Sequence, residues 1–467
     1  MKLRKWQSEC ISEAYKHYSS GARHFLTLAT PAAGKTIFAT KLARELVDKS
    51  LIDIVVCFSP TAIVASDFTR SLSAEFNARF DGKLGAMGLS RTYQSMSFLD
   101  NSFLQLLNEY RVFVIFDEIH HCAGSSIENS NSWGEQIILK IQERAQYTLA
   151  LTGTPWRSDK TPIVLANYCK NNKVICDYSY GLSEAINDSV CRVPHITALD
   201  NDDINVLHKS ERKTFTSFSE LIKHQLISYR AIVEDHEIIR ELIQRADRRL
   251  NEIRLINAGA GGLIVASSVE HAIVIQRILK NTIGEDSTIV TYREEFPNET
   301  IQQYRENTTK WLISIGMVSE GTNIPRLQVC IHLTNIVTEL HFRQILGRIL
   351  RVTNSPTQIG YLFMVAHPDL IEFANRVSED VPQESSIVRF DKLNSTFKKE
   401  VKENTKPIMS PHKNDESLQL NMGRDVKNKE NSLSPLVKSP LSESYEMMLG
   451  IVGKFRDEVI ALNFCEQ

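Results

Sequence analysis

The stretch VFVIFDEIHHC, residues 112–122, decides the fold of this chain. A continuous run of large apolar residues ends abruptly at two adjacent carboxylates, Asp117 and Glu118. Such a run predicts a strand of a parallel sheet that is covered on both faces. The paired acids at its end are either an ordinary strand end that meets water or a site that holds a metal ion and activates a water molecule. The rest of the chain decides between these two interpretations.

Similar strand-like runs lie on both sides of this stretch, and helical patterns separate them. In the first half the runs are HFLTLA (24–29), DIVVCFS (53–59), RVFVIFDE (111–118) and YTLALTGTP (147–155), and TIFATKLARELVDKS (36–50) has helical spacing. In the second half the runs are GGLIVASS (261–268), STIVTY (287–292), KWLISIG (310–316), QVCIHLT (328–334) and GYLFMVA (360–366). Strands that alternate with helices predict an α/β fold of two doubly wound parallel-sheet domains in tandem.

Composition and pattern divide the chain into five segments. We predict a first sheet domain over residues 1–160, a connecting and helical segment over 161–260 and a second sheet domain over 261–376. Residues 377–440 are rich in Lys, Glu, Asn, Ser and Pro, which predicts a disordered linker. Residues 441–467 are predicted to form an amphipathic helix, which either docks on the body or binds a protein partner. Its apolar face would consist of Tyr445, Met448, Leu449, Val452, Phe455, Val459 and Leu462.

Charge and cysteine usage exclude several classes of protein. The formal net charge of −2 gives no global basicity, although a local basic groove can lie on a neutral protein. The eight cysteines contain no C-x-x-C pair, which favours reduced thiols over a disulfide framework. No second ligand pair at zinc spacing accompanies His121 and Cys122. No run of 18 apolar residues occurs, so we predict a cytoplasmic protein that does not associate with a membrane.

The segment ATPAAGKT, residues 29–36, lies between a predicted strand and a predicted helix. A loop in this place can direct backbone N–H groups at phosphate oxygens, while a lysine reaches the β- and γ-phosphates. Gly34, Lys35 and Thr36 occupy the essential places, but the first glycine of the G-x-x-x-x-G-K-[ST] pattern is replaced by Ala29. The residues predicted to surround the nucleotide are Thr30, Pro31, Ala32, Ala33, Gly34, Lys35 and Thr36.

A phosphate-binding loop gives the paired acids a chemical role. Asp117 would hold Mg²⁺ together with Thr36, and Glu118 would orient and deprotonate the water that attacks the γ-phosphate. Two acids are needed because one carboxylate cannot act as metal ligand and base at the same time. The sequence therefore predicts ATP and Mg²⁺ as cofactors and Lys35, Asp117 and Glu118 as catalytic residues.

With its motifs in this order, the chain resembles the DEAD/DEAH-box proteins of helicase superfamily 2 over roughly residues 3–370. That family has two RecA-like domains. Within it, the chain is similar to the branch of type I restriction motor subunits and transcription-repair (XPB-like) DNA helicases. The segments that carry the resemblance are LRKWQ (3–7), SPTAIVASDF (59–68), RTYQSM (91–96), LTGTPWRSD (151–159), LIVASSVEHA (263–272), ISIGMVSEGTNIPRLQV (313–329) and QILGRILR (344–351).

The resemblance implies roles for further residues. Arg4 and Gln7 would contact adenine, Gly321 and Asn323 would contribute to the nucleotide site, and Arg348 or Arg351, with Gln344 beside them, would reach the γ-phosphate from the second domain. Asn323 departs from the Asp that this branch usually carries. The implied nucleic-acid contacts are Thr61, Thr92, Gln94 and Ser267. The implied coupling residues are His120, Thr152 and Thr154.

The resemblance implies an ATP-dependent nucleic-acid translocase or helicase, with DNA favoured over RNA as its partner. The motor residues do not separate DNA from RNA, so an RNA helicase stays an alternative. A second alternative is an ATP-gated recruitment subunit of a larger complex, such as a defence complex, that binds a protein partner through the C-terminal helix.

Overall fold

Two β-sheets of mainly parallel strands, each flanked by helices, form the body of the protein in a computed structural model. The structure describes residues 3–126, 129–157, 159, 161–170, 173–208, 211–291, 293–294, 297–315, 324–353, 358–379, 447–451 and 453–461. The strands are β1 His24–Ala29, β2 Ile54–Ser59, β3 Gly88–Thr92, β4 Val112–Asp117, β5 Tyr147–Thr152, β6 Asn167–Tyr168, β7 Val174–Ile175, β8 Tyr178–Tyr180, β9 Val193–Asn201, β10 Ile204–His208, β11 Glu211–Phe215, β12 Gly261–Ala266, β13 Ser287–Val290, β14 Trp311–Ser314, β15 Leu327–Leu333, β16 Ile359–Val365, β17 Met447–Ile451 and β18 Phe455–Ala461. The helices are α1 Lys5–Ser19, α2 Lys35–Asp48, α3 Ala62–Phe76, α4 Asn101–Glu109, α5 Ser132–Gln136, α6 Leu182–Asn187, α7 Phe218–Lys223, α8 Tyr229–Val233, α9 His236–Ile256, α10 Val269–Ile283, α11 Pro297–Glu306, α12 Glu339–Ile349 and α13 Pro368–Glu379.

The first sheet has the strand order β3-β2-β4-β5-β1-β8, and all of its strands are parallel. Alternate residues of β4 enter the two cores on opposite faces of the sheet. Phe113 and Ile115 pack in the core that contains α1, α2 and α3, whereas Val114 and Phe116 pack in the core that contains α4. Because both faces are covered, all six residues of β4 are buried. This arrangement explains why the strand is continuously apolar.

The second sheet has the strand order β13-β14-β12-β15-β16-β9-β18, and only β18 is antiparallel to its neighbour. Ile264 of β12 packs with α9 and α10, and Val265 packs in the large core that includes α12 and α13. That large core also contains residues of α1, α2 and α3, so it runs without interruption from one sheet to the other. The predicted pair of parallel-sheet units is confirmed.

The segment 161–260 contains more β-structure than we predicted from its sequence. It supplies β8 to the first sheet and β9 to the second, and β10 pairs with β11 outside both. Only its last part, α9, is a long helix. The strands of this segment were not expected because β9 finds its partner, β16, far along the chain, and a local pattern does not encode that pairing. The five segment boundaries themselves stay a prediction.

The C-terminal helix predicted over residues 441–467 is replaced by two strands. β17 pairs antiparallel with β10, with Leu449 opposite Val206, and β18 pairs antiparallel with β9. Leu449, Ile451 and Phe455 pack against the core under β10 and β16. Strand pairing satisfies the N–H and C=O groups at the open edges of β9 and β10, a gain that an isolated helix does not offer.

Some predicted features lie outside the described residues. They are the two nucleotide contacts Gly321 and Asn323 and the linker from residue 380 onward. Residues 377–379, the start of the predicted linker, instead end α13. Within the ranges that the structure describes, no helix is both long enough and apolar enough to span a membrane.

We predict that removing residues 447–467 lowers the free energy of unfolding of the second sheet unit by about 3 kcal/mol, because the deletion exposes apolar side chains and a strand edge. Thermal and urea unfolding would measure the change. Asp457→Asn is the matched control, since it breaks only the Arg245–Asp457 ion pair, at 2.6 Å, on the half-exposed side of β18. We expect that control to cost less than about 1 kcal/mol. A truncated chain as stable as the full chain would contradict the docked strands.

Candidate functional site

The loop between β1 and α2 has the backbone geometry of a phosphate site. Gly34 lies in the left-handed region with φ 92°, immediately before Lys35 begins α2. A side chain there would be strained, and its Cβ would lie 2.9 Å from Nε2 of Gln7. Ala32 also has a positive φ, of 70°. The loop therefore turns sharply and presents the N-terminus of a 14-residue helix, whose free N–H groups favour a phosphate.

Ala29 replaces the first glycine of the motif without a backbone penalty. It is the last residue of β1, is fully buried and pairs with Tyr180 of β8. Among the described residues with a positive φ, Ala29 does not occur. An alanine satisfies this position because it is ordinary strand.

The N-terminal segment holds this loop in place. Arg4 Nη1 donates to the carbonyl oxygen of Ala33 at 2.6 Å, and Gln7 Nε2 donates to that of Gly34 at 3.0 Å. The Arg4 backbone N–H donates to Oε1 of Gln7 at 2.9 Å. The two predicted adenine contacts therefore lie against the loop, and both ends of the Gln7 amide are hydrogen-bonded within the protein.

Trp6 is a part of this anchor that the sequence motif did not identify. Its Nε1 donates to the Ala33 carbonyl oxygen at 3.2 Å, and its ring stacks on Tyr180 with centroids 4.9 Å apart. Trp6 is 1% exposed, so its energetic contribution comes mainly from burial. A tryptophan between Arg4 and Gln7 was the only sequence signal.

The paired acids lie opposite the loop. Lys35 Nζ forms an ion pair with Oε1 of Glu118 at 2.9 Å, and the Gly153 N–H donates to Oε2 at 3.3 Å. Asp117, buried at the end of β4, has its carbonyl oxygen bonded by the Tyr93 hydroxyl at 2.7 Å. Glu118 itself takes a left-handed φ of 49°, which turns its side chain from the strand direction toward Lys35.

The two acids have opposite protonation tendencies. Burial, reinforced by the charge of Glu118, raises the pKa of Asp117 to about 7. Burial would also raise the pKa of Glu118, but the charge of Lys35 and the contacts with His120 and Gly153 outweigh it and lower that pKa to about 2. One acid therefore remains ionised at neutral pH, while its neighbour still holds a proton in part and a bound cation would favour the release of that proton.

Mg²⁺ fits this donor set. The buried Asp117 carboxyl and the Thr36 hydroxyl line one cavity with Lys35. In the described part of the chain no group of three or more His, Cys, Asp or Glu side chains could enclose a metal ion. Mg²⁺ commonly takes one or two protein ligands and completes its shell with phosphate and water oxygens.

The second sheet unit contributes cations to the same cavity, which has a volume of about 630 Å³. Gln344 and Arg348 of α12 and Arg351, just beyond it, line this space with Lys35 and Glu118. Burial and the nearby Arg348 and Arg305 charges lower the pKa of Arg351 to about 9. Clustered arginines that repel one another in a buried cleft favour an anion between them.

Arg305 of α11 and Asp67 of α3 also line the cavity. Arg305 lies outside the sequence motifs, and Asp67 lies in the segment SPTAIVASDF but was assigned no role. Nε and Nη2 of Arg305 are buried without a hydrogen-bond partner in the described residues, and Asp67 partly offsets its charge. Both residues lie on surface-type helical patterns, so no local signal distinguishes them from a solvated charge.

The three predicted coupling residues form one network beside Glu118. Nδ1 of His120 lies 2.9 Å from the Thr152 hydroxyl and 3.4 Å from the Thr154 hydroxyl, and the Thr152 hydroxyl donates to the Thr154 carbonyl oxygen. His120 Nδ1 is also 3.5 Å from Oε2 of Glu118. A displacement of the acid can therefore be transmitted through His120 to the segment that ends β5.

That segment continues to the domain interface. The Arg343 guanidinium of α12 lies over the ring of Trp156, 5.3 Å from its centroid. Trp156 and Arg343 line a second cavity between the two units, of about 740 Å³. Side-chain contacts and the backbone of residues 152–156 therefore connect Glu118 to α12.

The predicted nucleic-acid contacts are placed unequally. Thr61 follows β2, Thr92 ends the adjacent strand β3, and the exposed Gln94 lies two residues beyond Thr92. Ser267 follows β12, but its hydroxyl donates to Oε1 of Glu234 at 2.8 Å and contacts His271 Nδ1 at 2.8 Å. The first three therefore share one edge of the sheet, whereas the Ser267 hydroxyl is bonded beside a carboxylate that disfavours a phosphate.

The sequence is similar to those of several known proteins. A family profile described as "Type III restriction enzyme, res subunit" matches residues 1–157. An uncharacterised protein of Mycobacterium leprae is 29% identical over 391 residues, which cover 80% of this chain and 64% of that protein. The chain therefore spans slightly less than two thirds of the length of this relative.

A protein of Schizosaccharomyces pombe that is named as a mitochondrial ATP-dependent helicase is 23% identical over 364 residues. The match covers 75% of this chain and 55% of that protein. The fold is similar to the fragment structure of an HsdR subunit of a type I restriction enzyme from Vibrio vulnificus, with TM-score 0.57 and 15% identity over 81% of this chain and 67% of that one. The order of the motifs, the two-sheet fold and these similarities all agree with the resemblance to helicase superfamily 2.

Proposed function

We propose that the protein is an ATP hydrolase that translocates on nucleic acid or unwinds it, with DNA favoured over RNA. The observation that carries the proposal is the cavity in which Lys35, Asp117 and Glu118 of the first sheet unit face Arg348 and Arg351 of the second. Cations on both sides of the cavity, with carboxylates beside them, suit a triphosphate bound between the two units. The preference for DNA rests on the motifs of the restriction and repair branch, and the predicted cytoplasmic location stays a prediction.

The predicted catalytic groups of the cavity have separate tasks in hydrolysis. The loop N–H groups and Lys35 bind the triphosphate, and Thr36 and Asp117 would hold Mg²⁺, which neutralises phosphate charge. Glu118 is the base: its low pKa keeps it ionised, the Gly153 N–H orients it, and it accepts the proton of the attacking water. Arg348 and Arg351 stabilise charge on the γ-phosphate from the opposite side.

Movement on nucleic acid would follow from opening and closing of the cavity. ATP draws the arginines of α12 toward the phosphate loop, and hydrolysis releases them. The network from Glu118 through His120 and Thr152 to the Trp156–Arg343 contact connects the phosphate end to α12. Thr61, Thr92 and Gln94 would contact the phosphodiester backbone, so binding should be largely indifferent to sequence and sensitive to salt.

The alternative of a recruitment subunit loses the feature that supported it. A C-terminal helix was to bind the protein partner, but residues 447–461 form β17 and β18 and pair with strands of this chain. An RNA helicase remains the alternative, because the same cavity would serve it.

We predict that Lys35→Ala abolishes ATP binding and hydrolysis, because the loop loses its only lysine within reach of Glu118. Glu118→Gln should keep ATP binding and lower kcat by about 100-fold or more, because it removes the general base. Hydrolysis is measured with duplex DNA, single-stranded DNA, forked DNA and RNA. Lys41→Ala is the control, since Lys41 of α2 pairs with Glu75 of α3 and does not line the cavity. Full activity in Glu118→Gln would refute the proposed mechanism, and the nucleic acid that stimulates most identifies the substrate class.

We predict that Gln94→Glu weakens DNA binding about tenfold at low salt, because it places a negative charge where a phosphate is proposed to bind. Fluorescence anisotropy with a labelled duplex, in the presence of a non-hydrolysable ATP analogue, measures the affinity. Gln105→Glu is the matched control on the same sheet unit, where Gln105 bonds to Glu109 on an exposed helix. Equal affinities for the two variants would exclude Gln94 from the nucleic-acid contact.

We predict that Asp117→Asn raises the unfolding temperature of the nucleotide-free protein in EDTA. Between its ordinary value of 3.8 and its folded pKa of about 7, Asp117 holds a proton in the folded state that the unfolded chain has released. Stability from this group therefore falls as pH rises through that window, by roughly 4 kcal/mol in total. The advantage of Asn should be largest above about pH 7 and shrink toward about pH 5. An advantage that is independent of pH would contradict the raised pKa.

A further inference from the structure

Arg192 is the most deeply buried arginine side chain described outside the proposed site, with 0% exposure. It lies between α6 and β9, where the chain passes from the first sheet to the second. Burial lowers its pKa to about 10, and no neighbouring charge contributes. No ion pair with a carboxylate involves it in the parts of the chain that the structure describes. Burial of a guanidinium without a counter-charge costs free energy, so the burial of Arg192 needs an explanation.

The guanidinium bonds to three groups that surround the end of α12. Nη1 donates to the carbonyl oxygens of Leu327 at 2.7 Å and Ile349 at 3.1 Å, and Nη2 donates to the Thr353 hydroxyl at 3.0 Å. Ile349 is the last residue of α12, where carbonyl oxygens lack partners within the helix. A positive charge at that end is also favourable for the helix dipole.

The backbone beside Arg192 holds the same segment. The Arg192 N–H donates to the carbonyl oxygen of Leu350 at 2.7 Å, and Cys191 forms an antiparallel bridge with Arg351. The Cys191 thiol lies 3.4 Å from the carbonyl oxygen of Pro31 in the phosphate loop. Residues 191 and 192 therefore connect the phosphate loop directly to the residues that end α12.

Helix α12 packs closely against the phosphate loop. A Cβ on Gly347 of α12 would lie only 2.4 Å from Cβ of Pro31, so the helix backbone touches the loop. Because the contact is this close, a shift at the end of α12 cannot be absorbed there and instead changes where the Arg348 and Arg351 side chains point.

We propose that Arg192 is a positioning residue that fixes the C-terminal end of α12 and so sets Arg351 against the phosphate loop. This inference rests on the proposed ATP hydrolysis. It assigns no contact with ATP to Arg192 itself. Only the planar fork of an arginine reaches all three acceptors, and a lysine amine at this depth cannot.

The test is a double-substitution cycle of Arg192→Lys and Arg351→Gln in the full chain. We expect Arg192→Lys to lower kcat roughly tenfold with little change in the KM for ATP, as a misplaced catalytic group does. In the Arg351→Gln background we expect no further loss, because Arg192 acts through Arg351. An equal fold-loss from Arg192→Lys in both backgrounds would overturn the positioning role.

Thr353→Val supplies a milder variant should Arg192→Lys fold poorly, because it removes one acceptor and keeps the side-chain shape. It should lower kcat by a smaller factor, again only when Arg351 is present. Arg254→Lys is the matched control: Arg254 also donates to backbone carbonyl oxygens of the second unit, those of Ala260 and Thr308, but outside the cavity. Its kcat should equal that of the unaltered protein, and a loss equal to that of Arg192→Lys would overturn the proposal.

Hydrogen exchange separates this inference from the proposed function. The peptide that contains residues 349–353 should exchange faster in Arg192→Lys than in the unaltered protein, without any nucleotide. If no nucleic acid elicits hydrolysis by the unaltered protein, the proposed function fails, and exchange alone judges Arg192. Unchanged exchange in that peptide would then overturn the positioning role.

Discussion

The ion pair between Lys35 and Glu118, at 2.9 Å, is the interaction on which the site depends. It joins the start of α2, the helix that follows β1, to the end of β4. In the first sheet, β5 lies between β1 and β4. Glu118 reaches Lys35 only because its backbone turns into the left-handed region after a fully buried strand. The same burial keeps Asp117 protonated up to a higher pH than Glu118, so one pair of adjacent acids contains two chemically different groups.

The second unit completes this arrangement through contacts of a different kind. The large apolar core extends from the helices of the first sheet to α12 and α13, and it brings α12 against the phosphate loop at Pro31 and Gly347. Charged groups line the cavity beside this apolar core. Arg348 and Arg351 lie on one side of the cavity, and Lys35 lies on the other. Cations on both sides of a cleft suit an anion such as a phosphate group between them.

The predicted C-terminal helix failed, and the predicted nucleic-acid contact Ser267 has a partner within the protein, for the same physical reason. The C-terminal residues carry an apolar pattern that suits a helix, yet Gly450 and Gly453 weaken a helix. The edges of β9 and β10 offer backbone partners more than 200 residues away, as in the pairing of Asn201 with Phe455. Ser267 occupies its motif position, but Glu234, 33 positions before it, takes its hydroxyl. Neither partner can be recognised from a local window.

The sequence by itself determined the parallel strands, the phosphate loop and the paired acids, because each is encoded within about ten residues by apolar runs and by glycine and charge placement. Only the tertiary structure decided that Trp6 anchors the loop, that Arg305 faces the cavity and that Arg192 holds the end of α12. The bonds of Arg192 to Leu327 and Thr353 span 135 and 161 positions. Interactions at such separations depend on how the two sheets pack, and no short pattern of residues specifies that packing.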